Sequence, residues 1–203
     1  LDENMNIVCG IPEHAHADIC TQPQPTHYEY QDQYVFITVD VPEGVTIPFG
    51  AELVITPIDQ NSEEYSETVD QAKTVTGKKS VEDLVYDISF MLNGMEVEPI
   101  GGSVNIRFQL SENVLNSGDL LPEEFDINVV HMVDENTPEF LENEAIVDED
   151  GTVHSVDFSS DSFSTYYVSV NLSGDIDPGI YKGKEFQYND VRNAFVNSDE
   201  YSQ

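Results

Sequence analysis

Val104-Asn105-Ile106-Arg107-Phe108-Gln109-Leu110 decides the fold of this chain. Four apolar side chains alternate with three polar ones without interruption, the period of a strand with one buried face and one wet face, and Arg107 falls on the wet side. The same signature recurs on either side of it. Upstream, Val35, Ile37, Val39 and Val41 alternate with Phe36, Thr38 and Asp40. Pro42-Glu43-Gly44 then turns the chain into a second strand over Ala51 to Ile58, ended by Pro57 and Asp59. From Leu84 to Met91, Tyr86, Ile88 and Phe90 share one face, and Asn93-Gly94 directly after them is a hairpin dipeptide. Downstream, Phe125 to Val133, Glu144 to Val147, Thr152 to Phe158 and Phe163 to Leu172 read as further strands.

Eight or nine short strands at about ten-residue spacing, with almost no helical period, predict an all-β antiparallel sandwich. Val35, Ile37, Val39, Ile88, Phe90, Ile106, Phe108, Val129, Val168 and Val170 are its expected inward residues. The sandwich is expected over residues 34–172. Residues 1–33 form a Cys/His segment and a linker through Thr21 to Thr26. Residues 173–203 form a second linker toward a following domain, with a short helix over Tyr188 to Asn197. The polar stretch Gln60 to Asp83 is read as a long excursion with a short strand around Thr74 to Thr76. Leu1-Asp2-Glu3-Asn4 is acidic where a secretory leader is basic, so a monomeric piece of a longer chain is expected.

Charge narrows the function classes. Seven Lys and Arg stand against forty Asp and Glu, a formal net charge of -33. Such a surface repels phosphate backbones and anionic lipid headgroups, so nucleic-acid and membrane-surface partners are not expected. No apolar run approaches the length of a membrane span. Catalytic signatures are also missing: there is no Gly-x-Ser-x-Gly elbow, no phosphate-cradling Gly-rich loop and no His-Glu-x-x-His. His131 and His154 fall on strands and read as strand histidines, and carboxylate pairs such as Glu123-Glu124 are too common here to mark an acid and base. The chain is therefore expected not to be an enzyme.

The sharpest chemical signal is Cys9-Gly10-Ile11-Pro12-Glu13-His14-Ala15-His16-Ala17-Asp18-Ile19-Cys20. Cys9, His14, His16 and Cys20 offer two thiolates and two imidazoles, a full tetrahedral set for a closed, structural Zn²⁺ site, with His27 as a possible substitute ligand. A Cys9–Cys20 disulfide competes with it, and such a loop would give about 2 to 3 kcal/mol in the chain-entropy model. Both remain open on spacing alone. The acidic turns Asp148-Glu149-Asp150-Gly151 and Asp175-Ile176-Asp177 cluster hard oxygen ligands, yet they fit plain turn chemistry equally and no calcium site is assigned to them. Lys73, Lys78, Lys79, Lys182 and Lys184 all lie outside strong apolar strands, so no isopeptide cross-link is expected.

The segment Cys9 to Cys20 resembles the Cys-Gly-x-x-Glu-His-x-His-x-x-x-Cys segments of large, repetitive surface proteins of gut Firmicutes. The sandwich resembles the module that often follows them, through Val45 to Leu53, Tyr86 to Phe90, Gly94 to Pro99 and Asp161 to Tyr166. The likeness covers residues 7–172, and the tail from Tyr188 to Gln203 is similar to the lead into a further adhesin domain. It implies an extracellular, cell-wall-associated, adhesin-like protein of a Gram-positive bacterium. On that reading the module binds a host glycan, mucin, glycoprotein or immunoglobulin, or else serves as a structural spacer with no ligand of its own. A binding module should present an exposed aromatic or apolar patch, for which Phe36 and Tyr167 are the outward aromatic residues, and a spacer a uniformly charged surface.

Overall fold

The computed structural model describes residues 25–173 apart from 79, 113, 116–124, 135–136 and 150. In chain order the elements are β1 (His27–Gln31), β2 (Val35–Asp40), β3 (Glu52–Pro57), α1 (Glu63–Thr76), β4 (Ser80–Leu92) and β5 (Met95–Val97). They continue with β6 (Val104–Leu110), β7 (Phe125–Asp134), β8 (Thr137–Leu141), β9 (Asn143–Val147), β10 (Val153–Ser160) and β11 (Thr165–Leu172). One sheet runs β1-β2-β6-β10-β9 and the other β3-β4-β11-β7-β8, with β5 added to the end of β4. Every pairing is antiparallel. The two sheets face each other as a sandwich.

Alternation along each strand places the core. On β6 the four apolar residues are buried and Asn105, Arg107 and Gln109 are exposed. All ten residues expected to point inward lie in the main cluster between the sheets. Aromatic rings tie the layers together edge to face, Tyr86 meeting Phe108 at 5.8 Å and Tyr28 meeting Phe90 at 4.7 Å, while Phe108 meets Phe158 at 5.7 Å within the first sheet. Each buried ring contributes about 1.5 to 3 kcal/mol through burial, with about 0.5 to 1.5 kcal/mol more from such a contact. The Asn93-Gly94 hairpin forms as read. Both residues have positive φ, 54° and 80°, as a type I′ turn requires.

Three expectations are corrected. The stretch Gln60 to Asp83 is no loose excursion: it carries α1, and Thr74 to Thr76 is the last helical turn rather than a strand. Local chemistry outweighs the β preference of Thr-Val-Thr. The Ser62 hydroxyl accepts from the Tyr65 N–H at 3.1 Å, Glu63 and Glu64 sit in the first turn, and Gly77 closes the end at φ 67° with its N–H on the Lys73 carbonyl. Secondly, β1 (His27–Gln31) precedes Tyr34, where strand structure is expected to begin. Tyr28 and Tyr30 pack on the core from it. Thirdly, β8 (Thr137–Leu141) forms the edge beside β7 in a segment with no strand reading.

Helix α1 lies on the outer face of the second sheet. Ala72 at its centre, with Tyr65 and Val69, covers Val85, Val130, Met132 and Tyr167. Tyr167 is only 1% exposed, whereas Phe36 is half-buried on the outer face of the other sheet, so the two do not form one patch. Among the described residues, the outer face of the first sheet carries no helix.

Candidate functional site

That helix-free face is built from cross-strand rows fixed by register. Thr38, Arg107, Asp157 and Glu144 line up across β2, β6, β10 and β9; one row along, Asp40, Asn105 and Ser159 do the same. Arg107 Nε donates to Asp157 Oδ1 at 2.5 Å, and Ser159 Oγ donates to Asn105 Oδ1 at 2.9 Å. At the β1 edge His27 bridges Asp40 at 2.6 Å and Glu29 at 2.9 Å. These hydrogen bonds, that to Asp40 foremost, raise the imidazole pKa above its ordinary value.

The face becomes a trough where the chain crosses between sheets from β8 to β9. Phe140, Glu142 and Asn143 form this wall, with Asp126 and Asn128 of β7 behind it, and the open space is about 1100 Å³. The crossing is held in place because the Asn143 amide donates to the carbonyls of Ile127 at 3.3 Å and Leu141 at 3.4 Å. Asn128 is pinned from below by its bond to Asn171 Oδ1 at 2.7 Å. Phe140 is 46% exposed and gives the trough an aromatic surface. The amide N–H groups of Asn105 have no partner among the described residues. Amides, carboxylates, a guanidinium and a ring around one open space can hydrogen-bond and stack on a polyhydroxylated ligand.

A second cleft, of about 960 Å³, lies beside α1 and contains Asp83. Tyr65 of α1 and Ser80 of β4 donate hydroxyls to this carboxylate, and Tyr167 of β11 does so at 3.4 Å. Desolvation pushes the Asp83 pKa up to about 6, with the Tyr167 hydroxyl pulling the other way. A cleft carboxyl that titrates near neutrality has one property of a general acid. Here its oxygens are taken by hydroxyls from three elements, which makes it the polar joint between helix and sheet.

His131 is the other buried titratable group. It stacks on Tyr166 with ring centroids 4.6 Å apart, and its Nε2 lies 2.9 Å from Ser164 Oγ. Ser164 donates its single proton to the Met132 carbonyl. With the hydroxyl proton placed there, the Nε2–H tautomer of His131 completes the contact to Ser164. Burial lowers the His131 pKa. The pair has the spacing of a nucleophile and base, while the Met132 carbonyl competes for the hydroxyl proton.

Cys9, His14, His16 and Cys20 lie outside the described residues, as do Asp175, Asp177, Glu123-Glu124 and the helix expected over Tyr188 to Asn197. Among the described residues no three His, Cys, Asp or Glu side chains group to hold a metal ion. In the Asp148 turn the carboxylate accepts from the Thr152 N–H at 2.9 Å and pairs with His154 at 3.2 Å, as in ordinary Asx-turn chemistry. Lys73 pairs with Asp70 at 2.7 Å and Lys78 with Asp126 at 2.8 Å, both as surface ion pairs. No helix among the described residues is long and apolar enough to cross a membrane.

The trough residues were partly visible in sequence. Asn105 and Arg107 are the outward positions of the most regular strand, but nothing local shows that Asp157 and Ser159 pair with them or that Phe140 lines the same space. No family model matches the chain, and neither a curated protein nor a solved structure matches it.

Proposed function

We propose that this chain is a non-catalytic module of a bacterial surface protein, extracellular and wall-associated, that adheres to a host glycan or glycoprotein through the open face of its first sheet. The single observation that carries this reading is the asymmetry of the sandwich. One outer face is covered by α1; the other carries no helix among the described residues and ends in a trough lined by Asn105, Arg107 and Phe140. A surface of that size with planar polar groups and one ring fits a sugar chain better than it fits a flat protein patch, which would need a larger apolar centre. The resemblance of Cys9 to Cys20 and of the sandwich to adhesin-like surface proteins supports the location.

The test is a pull-down of the 203-residue chain from host mucosal secretions, with a glycan array run in parallel and with Asn105→Ala and Phe140→Ala as controls. Binding lost in both variants supports adhesion through the trough. A spacer role has its own supporting observation, since carboxylates dominate the outer surface and the net charge is -33. Absence of binding to any glycan, mucin or serum protein at micromolar concentration would establish the spacer instead.

A further inference from the structure

Taking the trough as the binding site just proposed, we infer that it selects neutral, hydroxyl-rich sugars and turns away sialylated, sulfated or uronate-bearing ones. The argument is the sign of its charge. Asp40, Asp126, Glu142, Glu144 and Asp157 line the same space. The cation within it, Arg107, is already held by Asp157 at 2.5 Å, and Lys78 at the β7 side is held by Asp126 at 2.8 Å. An anionic sugar that enters therefore meets five carboxylates against one lining cation, Arg107, whose Nε–H is already bonded to Asp157. Arg107 and Lys78 offset Asp157 and Asp126, and His27 bonds Asp40, so the repulsion comes chiefly from Glu142 and Glu144; it is weak through water and salt but acts on one small ligand. A protein site built for a sugar carboxylate or sulfate presents Arg as a bidentate fork, and here the Nε edge of Arg107 is already spent on Asp157.

Neutral sugars suit the remaining groups. Carboxylates accept from sugar hydroxyls, and the Asn105 amide, whose oxygen is taken by Ser159, donates to them. Phe140, 46% exposed at the wall, offers a ring to the C–H face of a pyranose. Asn128 and Asn143 are anchored by their own hydrogen bonds, so the wall is formed before a ligand arrives.

The experiment uses the 203-residue chain with matched pairs of oligosaccharides, each neutral core being compared with its sialylated and its sulfated form. Binding is followed by calorimetry in physiological salt. The neutral member should bind at least about tenfold more tightly. Lowering the salt should widen the gap, and Glu142→Gln combined with Glu144→Gln should narrow it. Desialylating a mucin should increase its capture. Equal or tighter binding of the charged member would overturn the inference while leaving the trough in place as the binding site. Binding abolished by a chelator would also overturn it, because the carboxylates would then hold a bridging cation. If no sugar binds, or if Asn105→Ala and Phe140→Ala leave binding unchanged, the trough reading falls and this inference with it.

Discussion

Replacing Asp83 with Asn should remove a large part of this protein's stability gain on mild acidification. Asp83 sits where α1, β4 and β11 meet, with hydroxyls from Tyr65, Ser80 and Tyr167 on its carboxylate. Its pKa rises from 3.8 in the free chain to about 6 in the fold, chiefly by desolvation. A raised carboxyl pKa means that the folded state binds the proton more tightly than the unfolded chain does. The stabilisation is therefore complete below the unfolded value and is lost as pH climbs through about 6. At about 1.4 kcal/mol per pKa unit, the contribution is about 3 kcal/mol at most between pH 7.5 and 4. The Tyr65 and Ser80 hydroxyls also favour the ionised form, so the measured value should lie below that bound. Asp87, Glu96 and Glu98 are raised by desolvation as well and act with the same sign. His131 is lowered and acts against them below its unfolded pKa. Urea unfolding across this range, followed by circular dichroism or by tyrosine emission in a chain without Trp, gives stability against pH. Subtracting the Asp83→Asn curve cancels the groups common to both proteins. Parallel curves, with the same pH slope for both, would refute the assignment of Asp83 as the buried joint.

Three further outcomes are expected. Gly101→Ala should cost more than about 2 kcal/mol in chemical denaturation. Its φ is 98°, and an added Cβ would stand 2.6 Å from the Gly44 carbonyl oxygen, where two loops are clamped by the mutual Thr46 and Ile100 hydrogen bonds. Ser62→Ala should cost about 1 kcal/mol by removing the N-cap of α1, while Ser62→Asp restores it; denaturation of the three proteins tests this ranking. At the N-terminal segment, metal analysis with a thiol count separates the two readings of Cys9, His14, His16 and Cys20. One zinc per chain with both thiols recovered after chelation supports the metal knuckle, and no metal with no free thiol means a Cys9–Cys20 bridge.

The inward face of each central strand was written in the sequence because a side chain's side of a strand follows from parity alone. Val104 to Leu110, Val35 to Val39 and Tyr86 to Phe90 needed no partner to be read, and Asn93-Gly94 named its own turn. Helix α1 was harder, since its buried residues are Thr68 and Ala72 and its apolar stripe is too thin to stand out. Ser62 and Gly77 cap it without having been read as caps in the sequence, and packing on Val85, Val130 and Tyr167 completes its support. Only the tertiary structure decided which outer face that helix would cover, because periodicity distinguishes the two sides of a strand and says nothing of what lies beyond them. It also decided the trough and the Asp83 joint. Arg107 meets Asp157 across fifty residues of chain and Asp83 meets Tyr167 across eighty-four, and such pairings arise from sheet register rather than from any local pattern.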